Sequence, residues 1–224
     1  MRKKLLTCLL LFLTVLFAGC TGSTGPNQAP EAQPTPPPEK TFVNEYVVIK
    51  INNTSVFNSS SFEHKIHDLI IAQRLNLGLT AIDWNEQLAF IARGHSKDMG
   101  LNNYFSHNDT EGRNFAYRYN KSGFQCNITI GIKGNVHEIA MGAENIFLTN
   151  IKQRDWFNEY PVTGRREYVR SDYYTQNELA TFIVDGWMNS PSHREDILKP
   201  FWASEGIGVF VTDNYSVYAT ENFC

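Results

Sequence analysis

The chain lacks the marks of several common activities. It carries no positive excess: 20 Lys and Arg stand against 23 Asp and Glu in 224 residues. That balance provides no electrostatic footprint for a nucleic acid, so no nucleic-acid partner is expected. No G-x-S-x-G, P-loop or G-x-G-x-x-G occurs. The nucleophile elbow and the phosphate-binding loops therefore have no footing. "HEIAM", His137 to Met141, resembles half of a zinc-protease motif, but Met141 stands where the second imidazole is required. Two histidines four residues apart are needed to share one helix face. Internal repeats are also missing, and cysteine is scarce, with 4 in the chain.

The apolar stretch Leu5–Phe17 is shorter than the roughly twenty residues of a comfortable membrane span. It follows Arg2, Lys3 and Lys4 and precedes Ala18-Gly19-Cys20, the layout of a secretory signal over 1–19. Small residues ending in Cys resemble a lipoprotein cleavage box. Cys20 would then be the lipidated first residue, anchoring the chain to a membrane. Plain cleavage and an uncleaved anchor are the alternatives, and all three place the domain outside the cytoplasm. Without residues 1–19 the balance becomes 17 basic against 23 acidic, mildly acidic. Residues 20–40 read as a tether holding Pro26, Pro30, Pro34, Pro36, Pro37 and Pro38. At about 3.1 Å per residue it would reach on the order of 60 Å.

With Cys8 in the signal and Cys20 lipidated, Cys126 and Cys224 remain. Outside the cell such a pair is expected to bridge. The loop of about 100 residues is worth roughly 4–5 kcal/mol in the chain-entropy model. Two buried thiols are the alternative. Seven N-x-S/T triplets, at Asn52, Asn53, Asn58, Asn108, Asn120, Asn127 and Asn214, are possible glycan acceptors.

Residues 41–61 form an extended lead-in, strand-like from Phe42 to Ile51. Ser61 is placed to cap a helix carrying Phe62, Ile66, Leu69, Ile70 and Gln73 on one face and ending at Gly78. A second helix aligns Leu88, Ile91, Ala92, His95 and Met99, with His95 a core histidine bonded to backbone. A third carries Leu179, Phe182, Ile183 and Trp187. The end of the chain reads as a hairpin turning at Asp213-Asn214. Helices first and an antiparallel hairpin last indicate an α+β domain.

Three polar clusters remain: "NNYFSHN" with His107, "GAENIF" with Glu144, and "WMNSPSHREDIL" with His193. Two imidazoles and a carboxylate suit a divalent metal or acid–base chemistry, although spacing alone does not bring them together. In order along the chain stand "LTAIDWNEQLAFIARGHSKDM", "YFSH", "GAENI", "WMNSPSHREDIL" and "EGIGVF". This series resembles the CAP superfamily (cysteine-rich secretory proteins, antigen 5, pathogenesis-related proteins), above all its prokaryotic SCP-like branch, over residues 62–224. The resemblance implies a three-layer α-β-α sandwich with a small antiparallel sheet and an open cleft. It also implies a cleft site of two His and two acidic residues able to hold a divalent cation such as zinc. His107 and His193 match the two histidines and Glu144 the first glutamate. Ser190 occupies the place of the second glutamate, as in other members reading S-P-x-H-R.

On this reading Trp187 is a core anchor, Ser190 and His193 face the cleft, and Ser192 with Glu195 forms a capping box for the next helix. Residues 150–177 form an insertion rich in aromatic residues and Arg. It is placed to flank the cleft and suits carbohydrate, lipid-headgroup or protein surfaces. Three functions stay open. The first is a membrane-tethered extracellular module binding a lipid, glycan or peptide in the cleft. The second is a metal-assisted hydrolase with Glu144 as base. The third is a protein–protein surface on the insertion.

Overall fold

The computed structural model describes residues 39–43, 46–51 and 54–224, with side chains from Phe57 onward. The signal segment, Cys20 and most of the tether lie outside the described residues. Among the described residues, no helix is long and apolar enough to cross a membrane.

The lead-in is an antiparallel meander of β1 (Glu39–Val43), β2 (Tyr46–Ile51) and β3 (Thr54–Asn58), instead of one extended run. It feeds α1 (Ser59–Asn76). The cap is Asn58, whose Oδ1 accepts from the Ser61 N–H at 3.0 Å, so Ser61 lies inside the first turn and is not the cap. Phe62, Ile66 and Ile70 are fully buried, as their spacing requires, and Gly78 leaves the helix at φ +77°. Leu69 and Gln73 are half-buried.

β4 (Asp83–Trp84) leads to α2 (Glu86–Asn102), capped by Asn85 on the N–H groups of Gln87 and Leu88. Its expected stripe of Leu88, Ile91, Ala92, His95 and Met99 is buried throughout. Then come α3 (Phe115–Lys121), a hairpin of β5 (Ile128–Lys133) and β6 (Val136–Ala140), and β7 (Ala143–Asn150). His137 and Glu138 thus lie on a strand, which has no helix face for a zinc motif.

The insertion is a second hairpin, β8 (Lys152–Tyr160) with β9 (Arg165–Tyr173), forming its own two-stranded sheet. α4 (Gln176–Asn189) starts on a capping box of Thr175 and Glu178. α5 (Pro191–Ile197) follows Ser190, which is its N-cap position but makes no side-chain cap bond. Pro191 fills N1, where a missing N–H costs nothing. Ser192 is already inside the helix, so the expected Ser192–Glu195 box does not form. The chain ends in the hairpin of β10 (Ser204–Val211) and β11 (Ser216–Phe223).

The central sheet runs β4-β10-β11-β7, antiparallel except for the two-residue parallel pairing of β4 with β10. Alternation assigns its two faces. Ile207, Val209, Val211, Val217, Ala219 and Phe223 join the α1 and α4 residues Phe62, Ile66, Ile70, Leu179, Ile183 and Trp187 in one core. The other face receives α2. A Cβ on Gly206 would stand 2.1 Å from Ala89 N, and one on Gly208 1.9 Å from Arg93 N. The two glycines of "EGIGVF" are therefore where α2 lies directly on strand backbone. The result is the three-layer α-β-α sandwich. Trp187 is fully buried and gives its indole N–H to the Ile146 carbonyl at 3.1 Å, so it is the anchor its motif implies. Truncating so large a buried ring costs about 3–5 kcal/mol. Cys126 and Cys224 are joined as a disulfide, tying the end of β11 to the segment after α3.

Candidate functional site

β7 is an edge strand, and its first residues build the site. Glu144 is on the α2 face, 5% exposed, and both carboxylate oxygens are engaged. Oε1 meets His107 Nδ1 at 3.1 Å, and Oε2 accepts from Arg118 Nη2 at 2.6 Å. Arg118, on α3, also donates to the carbonyls of His107 and Arg113. One guanidinium thus pairs the carboxylate and ties down the loop that presents His107. His95 supports the same loop from below. Its Nε2 lies 3.0 Å from the Ser106 carbonyl, an acceptor, so Nε2 carries the hydrogen. Burial pushes the His95 pKa down, which keeps the ring neutral beside Arg118. This is the backbone-bonded core histidine expected from the α2 stripe.

His107 is half-exposed. With a carboxylate as its Nδ1 partner, the hydrogen sits on Nδ1 and Nε2 is left as an acceptor. His193, the third residue of α5, is half-buried. Its pKa is lowered, by burial first and then by the neighbouring His107, so the two imidazoles lie near one another. Asn145, next to Glu144, holds the His193 segment by donating Nδ2 to the His193 carbonyl at 3.2 Å. The structure therefore gathers His107, Glu144 and His193 at one edge of the sheet. Among the described residues, no hydrogen bond joins the Ser190 hydroxyl to them.

The donor set does not fit a metal ion as arranged. Among the described residues, no group of three or more His, Cys, Asp or Glu side chains is disposed to hold one. The physical reason is Arg118. It saturates one Glu144 oxygen with a cation, and His107 Nδ1 holds the other. Sequence spacing could not reveal this, because Arg118 belongs to a short helix outside the motifs. A nucleophile is also missing from the contacts of the dyad. What remains is a hydrogen-bonding imidazole braced by a buried ion pair.

Of these residues, His95 and Arg118 also line a groove of about 470 Å³ between α2 and α3, whereas His107, Glu144 and His193 are not among its lining. His95 and Arg118 form its floor towards Glu144, and Phe90, Asp98, Thr110 and Tyr117 line its sides. Phe90 is 58% and Tyr117 43% exposed. The insertion lies elsewhere. Glu144 pairs with Asn222 and Asn150 with Ser216, so the β8–β9 hairpin leaves the sheet six residues beyond Glu144. At about 3.3 Å per residue that is on the order of 20 Å. Its root packs on Tyr215 and Phe182 through Tyr173 and Tyr174. It is rooted at the far end of β7, not on the rim of the cleft.

Comparison with known proteins agrees with this architecture. Residues 68–223 match the family model described as CAP, the cysteine-rich secretory protein family. Two proteins of Bacillus subtilis are similar. The uncharacterized membrane protein YlbC is 27% identical over 161 residues, covering 72% of this chain and 34% of that protein. The uncharacterized protein YkwD is 28% identical over 162 residues, covering 71% and 47%. The matched region thus spans less than half the length of either. An outer surface protein of Borrelia burgdorferi aligns with a TM-score of 0.50 at 15% identity, over 73% of this chain and 91% of that one, a likeness of fold alone. The match over most of the chain, on a sheet between α2 and the α1–α4 layer, establishes that the chain belongs to the CAP family.

Proposed function

We propose that the protein is a membrane-tethered extracellular CAP module whose cleft binds a polar ligand, a glycan or a peptide. The observation that carries this reading is the buried Glu144–Arg118 pair bracing His107 beside an open groove. The dyad offers an acceptor at His107 Nε2, and Phe90 and Tyr117 offer faces for stacking. The groove walls hold Asp98, Asp109, Glu111, Arg113 and Lys121, which suits a hydrogen-bonding ligand better than an acyl chain. The basic start, the apolar stretch ending at Cys20, the Pro-rich tether and the Cys126–Cys224 bridge support an extracellular, membrane-attached place. So does the similarity to a protein named as a membrane protein.

The test is a binding screen of the full-length chain against envelope glycans, peptides and lipid vesicles, beside His107→Ala and Arg118→Met variants. We expect at least one glycan or peptide to be bound and both variants to lose it. Binding only to vesicles, or binding indifferent to both variants, overturns the reading.

A hydrolase is the second reading, and the His107–Glu144 dyad is what favours it, since an oriented imidazole is a general base. It would need a nucleophilic water delivered by substrate binding. Turnover of a bound ligand, abolished by His107→Ala, would establish it.

A further inference from the structure

Behind the cleft, on the other face of the sheet, lies a second polar centre. Glu205 of β10 and Glu221 of β11 sit in the inward rows with Ile207 and Ala219, and both are fully buried. Their side chains are in hydrogen-bonding contact. Glu205 Oε1 meets His67 Nδ1 at 2.6 Å, and Glu221 Oε2 accepts from Asn145 Nδ2 at 2.9 Å. The other two oxygens, Glu205 Oε2 and Glu221 Oε1, have no donor from any described group. Two carboxyls in contact without a donor between them lack one thing, a proton.

Charge counting agrees. Arg74 is the buried cation here, fully enclosed on α1. The charged and titratable groups around the pair are His67, Asp68 and Arg74 on α1, Asp83 on β4 and Asp196 on α5. Apart from Arg74 they add negative charge or, in His67, a ring that burial keeps neutral. One cation balances one carboxylate, not two. Burial accordingly holds the Glu205 pKa up at about 8 and raises Glu221 as well. The proton belongs to the pair.

This centre grips α5 at two points. Asn145 bridges Glu221 to the His193 carbonyl. Arg74 Nη1 donates to the carbonyls of Ile197 and Lys199. We propose that Glu205 and Glu221 share a single proton and act as positioning residues for α5, so that alkaline loss of the proton releases His193 from the cleft edge. Only the functional consequence rests on reading His193 as a cleft residue.

Two measurements on the full-length chain test it. In wild type, infrared spectra at neutral pH should show the carbonyl band of a buried protonated carboxylic acid, which disappears on alkalinisation. Amide exchange, corrected for its intrinsic pH dependence, should show α5 protection falling about ten-fold relative to α2 over the same range. In Glu221→Gln the amide nitrogen supplies the missing donor and the amide oxygen still accepts from Asn145, so α5 protection should stay flat with pH. A merely structural role predicts parallel profiles for the two proteins. Absence of the carboxylic acid band, or parallel profiles, overturns the proposal. If Glu221→Gln does not fold, the wild-type infrared band decides alone. Neither readout involves a ligand, so a failed binding screen leaves both results standing.

Discussion

Glu144 and Asn145 are neighbours on one strand and face opposite sides of the sheet, each serving a different glutamate centre. On the α2 side, Glu144 meets a guanidinium and an imidazole, and its charge is matched where it stands. On the α1 side, Glu205 and Glu221 meet each other, and Arg74 spends its hydrogen bonds on carbonyls. Burial is nearly the same at both centres, so the partner decides the outcome. A carboxylate with its own cation stands paired next to a groove open to solvent. Two carboxyls with one cation between them must keep a proton and stay sealed. The first arrangement suits contact with a ligand, and the second suits holding a helix in place.

The comparison breaks most sharply at Arg118. Arg118→Met leaves Glu144 buried without its cation and should cost about 3–5 kcal/mol in denaturant unfolding. Adding Glu144→Gln should recover most of that. A loss below about 0.5 kcal/mol would mean that the pair does not brace the site.

The second centre is sharpened by pH. A folded-state pKa of about 8, against the ordinary 4.5, means that the native pair holds a proton the unfolded chain has released. Its stabilisation is complete below 4.5 and is lost as pH rises through about 8. Relative to Glu221→Gln, wild type should therefore lose about 1.4 kcal/mol per pH unit across that window. Subtracting the variant cancels the histidines, which work in the opposite direction. Equal slopes in urea titrations would remove the shared proton.

Asn145→Ala should cut the link between the centres at a cost of about 1–3 kcal/mol, because it orphans a Glu221 oxygen and the His193 carbonyl. The readout is a change in the His193 ring resonances at a fixed pH; an unchanged spectrum would place its support elsewhere. The smallest effect is expected far from both centres. Replacing residues 153–172 with a short turn should change stability by about 0.5 kcal/mol or less and leave cleft binding intact. Loss of ligand binding there would return the insertion to the functional surface.

The layers and the anchors were legible because they rest on periodicity. The α2 stripe, Trp187 and the disulfide are where the sequence puts them. His107, Glu144 and His193 could be named from motifs, but their partner Arg118 could not, since it lies in a seven-residue helix with no motif of its own. The buried glutamates carried a readable signal. Glu205 shares parity with Ile207, Val209 and Val211, and Glu221 with Val217, Ala219 and Phe223, so a strict period of two puts both inside. Arg74 likewise extends the row Ile66, Ile70 by four residues. The caps expected at Ser61 and Ser192 moved to Asn58 and Ser190, because Asn58 one turn earlier and Pro191 one residue earlier settled the helix start first. The insertion's position depended on sheet register, which no local pattern records.

The claim that Glu144 is committed to Arg118 and His107 is tested most directly by calorimetric titration of zinc into the full-length chain, beside a His107→Ala, His193→Ala double variant. Weak binding, equal in both proteins, is expected. Stoichiometric binding by the wild type that disappears in the variant would contradict it, because the imidazoles would then converge on a metal and the Glu144–Arg118 pair would have to yield.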